Sequence, residues 1–172
     1  MAHARDRTIL VVEDEPDVRM FLSACAEDGG FRVITAEDGQ DGLGQLAEVT
    51  PDLITLDMVM PRMNGLTMLR TLRANPDWEQ IPVILITAHI RDDLGEEALR
   101  QLLAFPPAHR PRLVLEKPIN PPELMRLIAG LLDVELDDES YELATSQESL
   151  TRDLRTKDTE ELARINELLR DG

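Results

Sequence analysis

Five polar residues stand at the ends of short apolar runs, and their types suit one another. Glu13 and Asp14 follow the run Thr8–Val12, and Asp57 comes directly after Asp52–Leu56. Thr87 ends the run Pro82–Thr87, and Lys117 follows Arg112–Leu115. Three carboxylates crowded together raise one another's pKa unless a cation compensates them. Carboxylates, a backbone carbonyl and water are hard oxygen ligands suited to Mg²⁺, which keeps positions open for a phosphate oxygen. A cation so placed would keep Asp57 ionised while an anionic phosphoryl group approaches. Such a transfer needs mainly positioning and charge neutralisation, for which one metal, one ammonium and one hydroxyl suffice. Lys117 offers the ammonium and Thr87 the hydroxyl. Only two of the eighteen basic residues, Lys117 and Lys157, are lysines, so a lysine at this place stands out from an arginine background.

These residues are far apart in the chain and can meet only if the runs between them build a sheet. The five runs, with Phe31–Thr35 as the second, are nearly continuous and rich in β-branched residues, as strands buried on both faces require. Helical spacing falls between them. Val18, Phe21, Leu22 and Cys25 make one face, with Pro16 in the first turn and Gly29-Gly30 as the stop. Leu43, Leu46 and Ala47 mark a second helix and Leu66, Leu69 and Leu72 a third. Leu94, Ala98 and Leu102 mark a fourth, and Leu124, Leu127, Ile128 and Leu131 a fifth entered through Pro121-Pro122. Five successive βα units predict an α/β fold, a flavodoxin-like, doubly wound five-stranded parallel sheet of order 2-1-3-4-5. Ligands of such sheets bind at the carboxyl ends of the strands near the switch point, where the five polar residues lie.

The formal net charge of −16 disfavours a nucleic-acid surface, and 42% hydrophobic with 30% charged residues is ordinary for a globular domain. Cys25 is the only cysteine, which excludes an intramolecular disulfide. No leader and no membrane-length apolar stretch is evident, so a cytoplasmic setting is expected. The compact pattern is expected to span residues 1–132. Residues 133–172 read as an acidic linker over Asp133–Glu142 and a helical extension, with Asp158 and Glu161 at a helix start. In that extension Leu150 and Leu154, then Leu162, Ile165 and Leu169 widened by Leu168, recover helical spacing. The tail is expected to dock on a partner, either a second copy of the chain in a homodimer or a kinase or target. Folding back onto its own domain is the competing outcome. The tail is too short and acidic for a DNA-binding unit.

The run Ile9-Leu10-Val11-Val12-Glu13-Asp14-Glu15, the segment Asp57-Met58-Val59-Met60-Pro61-Arg62-Met63-Asn64-Gly65, the pair Thr87-Ala88 and the pair Lys117-Pro118 occur in order. Together they resemble the response-regulator receiver family over about Thr8 to Leu132. The resemblance implies that Asp57 is the phosphoacceptor and Asp14 a direct ligand of Mg²⁺. It implies that Glu13 holds the metal through water and that the Val59 backbone carbonyl also binds it. Thr87 and Ala88 would serve as phosphoryl-binding and switch positions, Lys117 would bind a phosphoryl oxygen, and the bond before Pro118 would be cis. The implied partners are a sensor histidine kinase or phosphotransfer protein and a downstream protein target. Two features depart from the family pattern. Val114 stands where an aromatic switch residue is usual, and the segment around Phe105–Pro111 is longer than usual. His89 reads as a surface residue, with a tuning role near the phosphoryl group as the lesser option.

Other functions fit less well. A haloacid-dehalogenase-type phosphatase needs a second aspartate two positions after the first, where Val59 stands. A flavin or nucleotide carrier needs a glycine-rich first loop, whereas Glu13-Asp14-Glu15-Pro16 repels phosphate. A signalling domain rather than an enzyme is therefore expected. The alternative is a pseudo-receiver that works through protein contacts alone.

Overall fold

The computed structural model describes residues 2–88, 92–136 and 156–171; His89, Leu150, Leu154 and the linker beyond Leu136 lie outside them. In chain order the strands are β1 (Ala2–His3), β2 (Thr8–Val12), β3 (Arg32–Ala36), β4 (Leu53–Asp57), β5 (Val83–Thr87), β6 (Leu113–Glu116) and β7 (Val134–Glu135). The helices are α1 (Pro16–Asp28), α2 (Gly39–Glu48), α3 (Gly65–Ala74), α4 (Asp93–Ala104), α5 (Pro121–Leu132) and α6 (Thr156–Arg170). Five strands form one parallel sheet in the order β3-β2-β4-β5-β6, the predicted order. Every residue of β2, β4 and β5 is buried, which explains their unbroken apolar runs.

Local chemistry sets the helix starts. Asp38, Asn64, Asp92 and Asn120 each accept a hydrogen bond from a first-turn N–H of α2, α3, α4 and α5, while Pro16 opens α1. The helices cover the sheet in two layers. Leu46, Leu66, Leu69, Leu72, Ala98 and Leu102 fill one face. On the other, Leu22, Ala26, Leu124 and Ile128 pack against Ile9, Leu53 and Ile84.

Several expectations shift. Phe21, expected on the buried face of α1, is 44% exposed, because Val18, Leu22, Cys25 and Ala26 turn toward the sheet instead. Ala47 and Leu94 also face outward, since Gly42 with Leu46, and Gly95 with Ala98, form the contact faces of α2 and α4. The compact unit continues past Leu132. Val134 is buried and β7 pairs in parallel with β1, whose neighbour Ala4 is fully buried.

The tail helix is seated on its own domain. α6 lies on its own sheet against β6 and α4, with Leu169 buried, Leu162 and Ile165 half-buried, and Leu168 turned outward. The reason is an open seat: β6 is the sheet edge, and α4 leaves apolar surface beside it. The long segment before β6 is packed as well. Arg73 of α3 is 7% exposed and donates to the carbonyls of His109 (2.8 Å), Glu79 (2.8 Å) and Ile81 (2.9 Å). Among the described residues no helix is long and apolar enough to cross a membrane.

Candidate functional site

The parallel sheet delivers the strand ends to one edge, and the carboxylates of Glu13, Asp14 and Asp57 meet there. One oxygen from each lies within 4.8 Å of the others. Glu13 and Asp57 are buried and Asp14 is half-exposed, so the cluster opens on its Asp14 side. Lys117 reaches in from the end of β6. Its Nζ lies 2.9 Å from Glu13 Oε2 and 3.6 Å from both Asp57 Oδ2 and Glu15 Oε1.

Backbone hydrogen bonds hold this geometry. The Lys117 N–H donates to the Thr87 carbonyl at 2.9 Å, tying the ends of β5 and β6. The peptide between Lys117 and Pro118 is cis. Arg19, one turn into α1, donates to the carbonyls of Glu13 (2.8 Å) and Asp14 (3.4 Å) and pins the acidic loop. The loop after Asp57 folds back so closely that a Cβ on Gly65 would lie 2.3 Å from the Asp57 carbonyl oxygen, which only glycine permits. Arg62, at φ 62°, spans from that loop to Asp38 and Glu37 and locks it against the start of α2. The N–H of Asp41, with Arg62 beside it, holds the Asp38 carboxyl below its usual range. Arg19, Arg62, Glu15 and Gly65 were not predicted as parts of the site. Glu15, Arg62 and Gly65 carried a signal as members of the two acidic motifs, and Arg19 carried none.

Electrostatically the site is short of positive charge. Burial, then the neighbouring Glu13, push the Asp57 carboxyl up to about 7, while Lys117 works in the other direction and Asp14 adds to the rise. Burial disfavours the Lys117 ammonium, but its hydrogen bond with Glu13 and the charge of Asp57 outweigh that and raise its pKa. Glu13 Oε2 is buried, with the Lys117 ammonium 2.9 Å away as its partner. Three converging carboxylates offer the hard oxygen donors that could hold a divalent cation.

The remaining predicted residues flank this cluster. Val59, two residues after Asp57, is 48% exposed, and Ala88 follows Thr87 and is exposed. Thr87 is buried at the end of β5. Val114 is buried in mid-β6, away from the carboxylates, where it lines a small hollow together with Thr87.

Comparison with known proteins agrees with this geometry. The response regulator receiver domain family matches residues 9–129. Hybrid signal transduction histidine kinase D of Dictyostelium discoideum is 32% identical over 124 residues, 72% of this chain but 7% of the kinase. The phosphate regulon transcriptional regulatory protein PhoB of Escherichia coli (strain K12) is 32% identical over 126 residues, 73% of this chain and 52% of PhoB. The chain thus spans only a part of either relative. The receiver domain of a sensor histidine kinase from Pseudomonas aeruginosa PAO1, with a magnesium ion coordinated in its active site cleft, superposes with a TM-score of 0.65. It is 25% identical, and the match covers 74% of this chain and 98% of that one. With the family matched over most of the chain and the sheet order and strand-end acids in place, the protein belongs to the response regulator receiver domain family.

Proposed function

We propose that the protein accepts a phosphoryl group on Asp57 from a sensor histidine kinase or phosphotransfer protein and signals through protein contacts. The observation that carries this reading is the meeting of Asp57 with Glu13, Asp14 and Lys117 at the strand ends. Asp57 Oδ attacks phosphorus, the bond from phosphorus to the donor breaks, and the donor keeps the electron pair. Asp14 and Asp57 would hold Mg²⁺ directly, the Val59 carbonyl would add a ligand, and Glu13 would act through water. Bound there, the ion supplies charge neutralisation for the incoming phosphoryl oxygens. Lys117 holds one of those oxygens, while Thr87 and the backbone at Ala88 meet others.

Every residue proposed for the chemistry lies within residues 1–132, and residues 133–172, whose described parts pack onto that unit, bear on output rather than on transfer. The reaction is self-directed, so the protein is a signalling domain and not an enzyme. A lone cysteine and a strongly acidic surface suit a cytoplasmic protein with protein partners rather than nucleic acid.

Incubation with acetyl phosphate and Mg²⁺ followed by intact mass measurement tests this reading. One added phosphoryl group is expected on the wild type and none on Asp57→Asn. A wild type that stays unmodified would leave the protein-contact pseudo-receiver as the reading. The absence of an aromatic residue at Val114 is the observation on that side.

A further inference from the structure

Behind the site, the last strand of the sheet is completed by a side chain. β6 is an edge strand, and on its open side the Val114 N–H donates to Asn166 Oδ1 at 2.7 Å. Asn166 Nδ2 returns a bond to the Val114 carbonyl at 3.0 Å. One amide thus satisfies both backbone groups of an edge residue, as a neighbouring strand would. Nδ2 also bonds the Leu162 carbonyl at 3.0 Å, one turn back on α6, which aims the amide at the strand. Ile165, the residue before the clamp, lines a hollow shared with Met58, Thr87, Leu102 and Val114. Thr87 therefore belongs to two places at once: the strand ends where the carboxylates meet, and the floor of the seat that α6 occupies.

We propose that α6 is a releasable cover on the β6 edge, and that phosphorylation of Asp57 and docking of α6 oppose each other through Thr87. The proposal rests on the phosphoacceptor reading above. A phosphoryl group brings roughly −1.5 to −2 charges and three acceptor oxygens to the strand ends. A threonine hydroxyl that turns to donate to it withdraws side-chain volume from the hollow beneath Ile165. Lost packing on one side of a small hollow weakens whatever closes it. The described part of α6 is held by the Asn166 clamp, a short apolar stripe on β6 and α4, and two long bonds from Arg110 to the Leu168 and Asp171 carbonyls (3.4 Å each), whereas the strands of the floor are held by continuous ladders. α6 is accordingly the element that yields. Because coupling between two binding events is reciprocal, unseating α6 must favour the phosphorylated form by the factor with which phosphorylation unseats α6.

Hydrogen exchange read by mass spectrometry on the full chain, with and without acetyl phosphate and Mg²⁺, tests the coupling. Intact mass of the same samples reports phosphoryl uptake. The amides of α6 are expected to exchange about ten-fold faster in the phosphorylated protein, the loss of one clamping hydrogen-bond pair, and to be unchanged in treated Asp57→Asn. Conversely, Asn166→Ala is expected to speed α6 exchange without phosphodonor and to tighten binding of beryllium fluoride with Mg²⁺ by a similar factor. Ile165→Ala serves as a second variant that leaves the amide clamp in place. If Asp57 is phosphorylated while α6 exchange stays the same or slows, the coupling is wrong and the acceptor reading stands. If Asp57 takes up nothing, the acceptor reading fails and the coupling fails with it.

Discussion

At Asp57 the fold works against ionisation, and this gives the residue a stability signature. Its carboxyl is pushed up to about 7 by burial and by Glu13, against 3.8 for the free group. Between those values the native state holds a proton that the unfolded chain has released. The stability this group contributes is therefore fully present below about pH 4 and is lost as pH rises through about 7. Without divalent metal, Asp57→Asn is expected to be more stable than the wild type at pH 8, by on the order of 2 kcal/mol, and equal to it near pH 4. Urea unfolding at both pH values checks this, and equal stability at pH 8 would contradict it. A second expectation concerns Gly65. A methyl at this position meets the Asp57 carbonyl at 2.3 Å, so Gly65→Ala must displace the backbone that carries the acceptor. A loss of about 2–3 kcal/mol in thermal or chemical unfolding is expected, together with impaired phosphoryl uptake from acetyl phosphate.

At the scale of elements, one buried cation ties the segment between α4 and β6 to α3 and to the loop before β5. Arg73 leaves α3 to reach three backbone carbonyls, of Glu79, Ile81 and His109, and among the described residues no carboxylate pairs with its guanidinium. Burial, with Arg112 nearby, lowers its pKa to about 10, so it stays charged under ordinary conditions. Arg73→Met keeps most of the length and removes every donor, leaving several carbonyls under-satisfied. It is expected to cost roughly 2–3 kcal/mol and to open the 105–111 segment to limited proteolysis. Proteolysis that matches the wild type would show that the loop is held by other contacts.

For the whole molecule, α6 completes the sheet as well as the core. A chain truncated after Leu136 loses the apolar burial of Leu162, Ile165 and Leu169 and bares the Val114 backbone on an open strand edge. The expected cost is about 3 kcal/mol in denaturant unfolding. The truncated protein is also expected to self-associate more than the full chain, because an uncovered edge is a template for pairing. Size-exclusion chromatography with light scattering compares the two forms directly. A truncated form that stays monomeric at the concentrations where the full chain does would contradict this role for the edge.

The amino-acid order by itself determined the five strands of the main sheet, their order in it and which residues stand at their ends, but not the short β1–β7 pair. Buried parallel strands need unbroken apolar runs, such as Ile9–Val12 and Val83–Ile86, and short right-handed connections leave one economical order for five βα units. Glu13, Asp14, Asp57, Thr87 and Lys117 were legible because each punctuates such a run. What only the tertiary structure decided is how faces meet. Phe21, Ala47 and Leu94 fit a helical period yet face outward, because an apolar period marks a face of the helix without saying how far around that face the sheet reaches. Arg73 and Arg62 look like two more arginines among sixteen, and their roles exist only once carbonyls or acids from other segments surround them. The same holds for Asn166 and the leucines of α6. A stripe on a short helix states that it must be covered, whereas the covering surface is made by β6 and α4 some fifty residues away, and only folding brings that edge and that helix together.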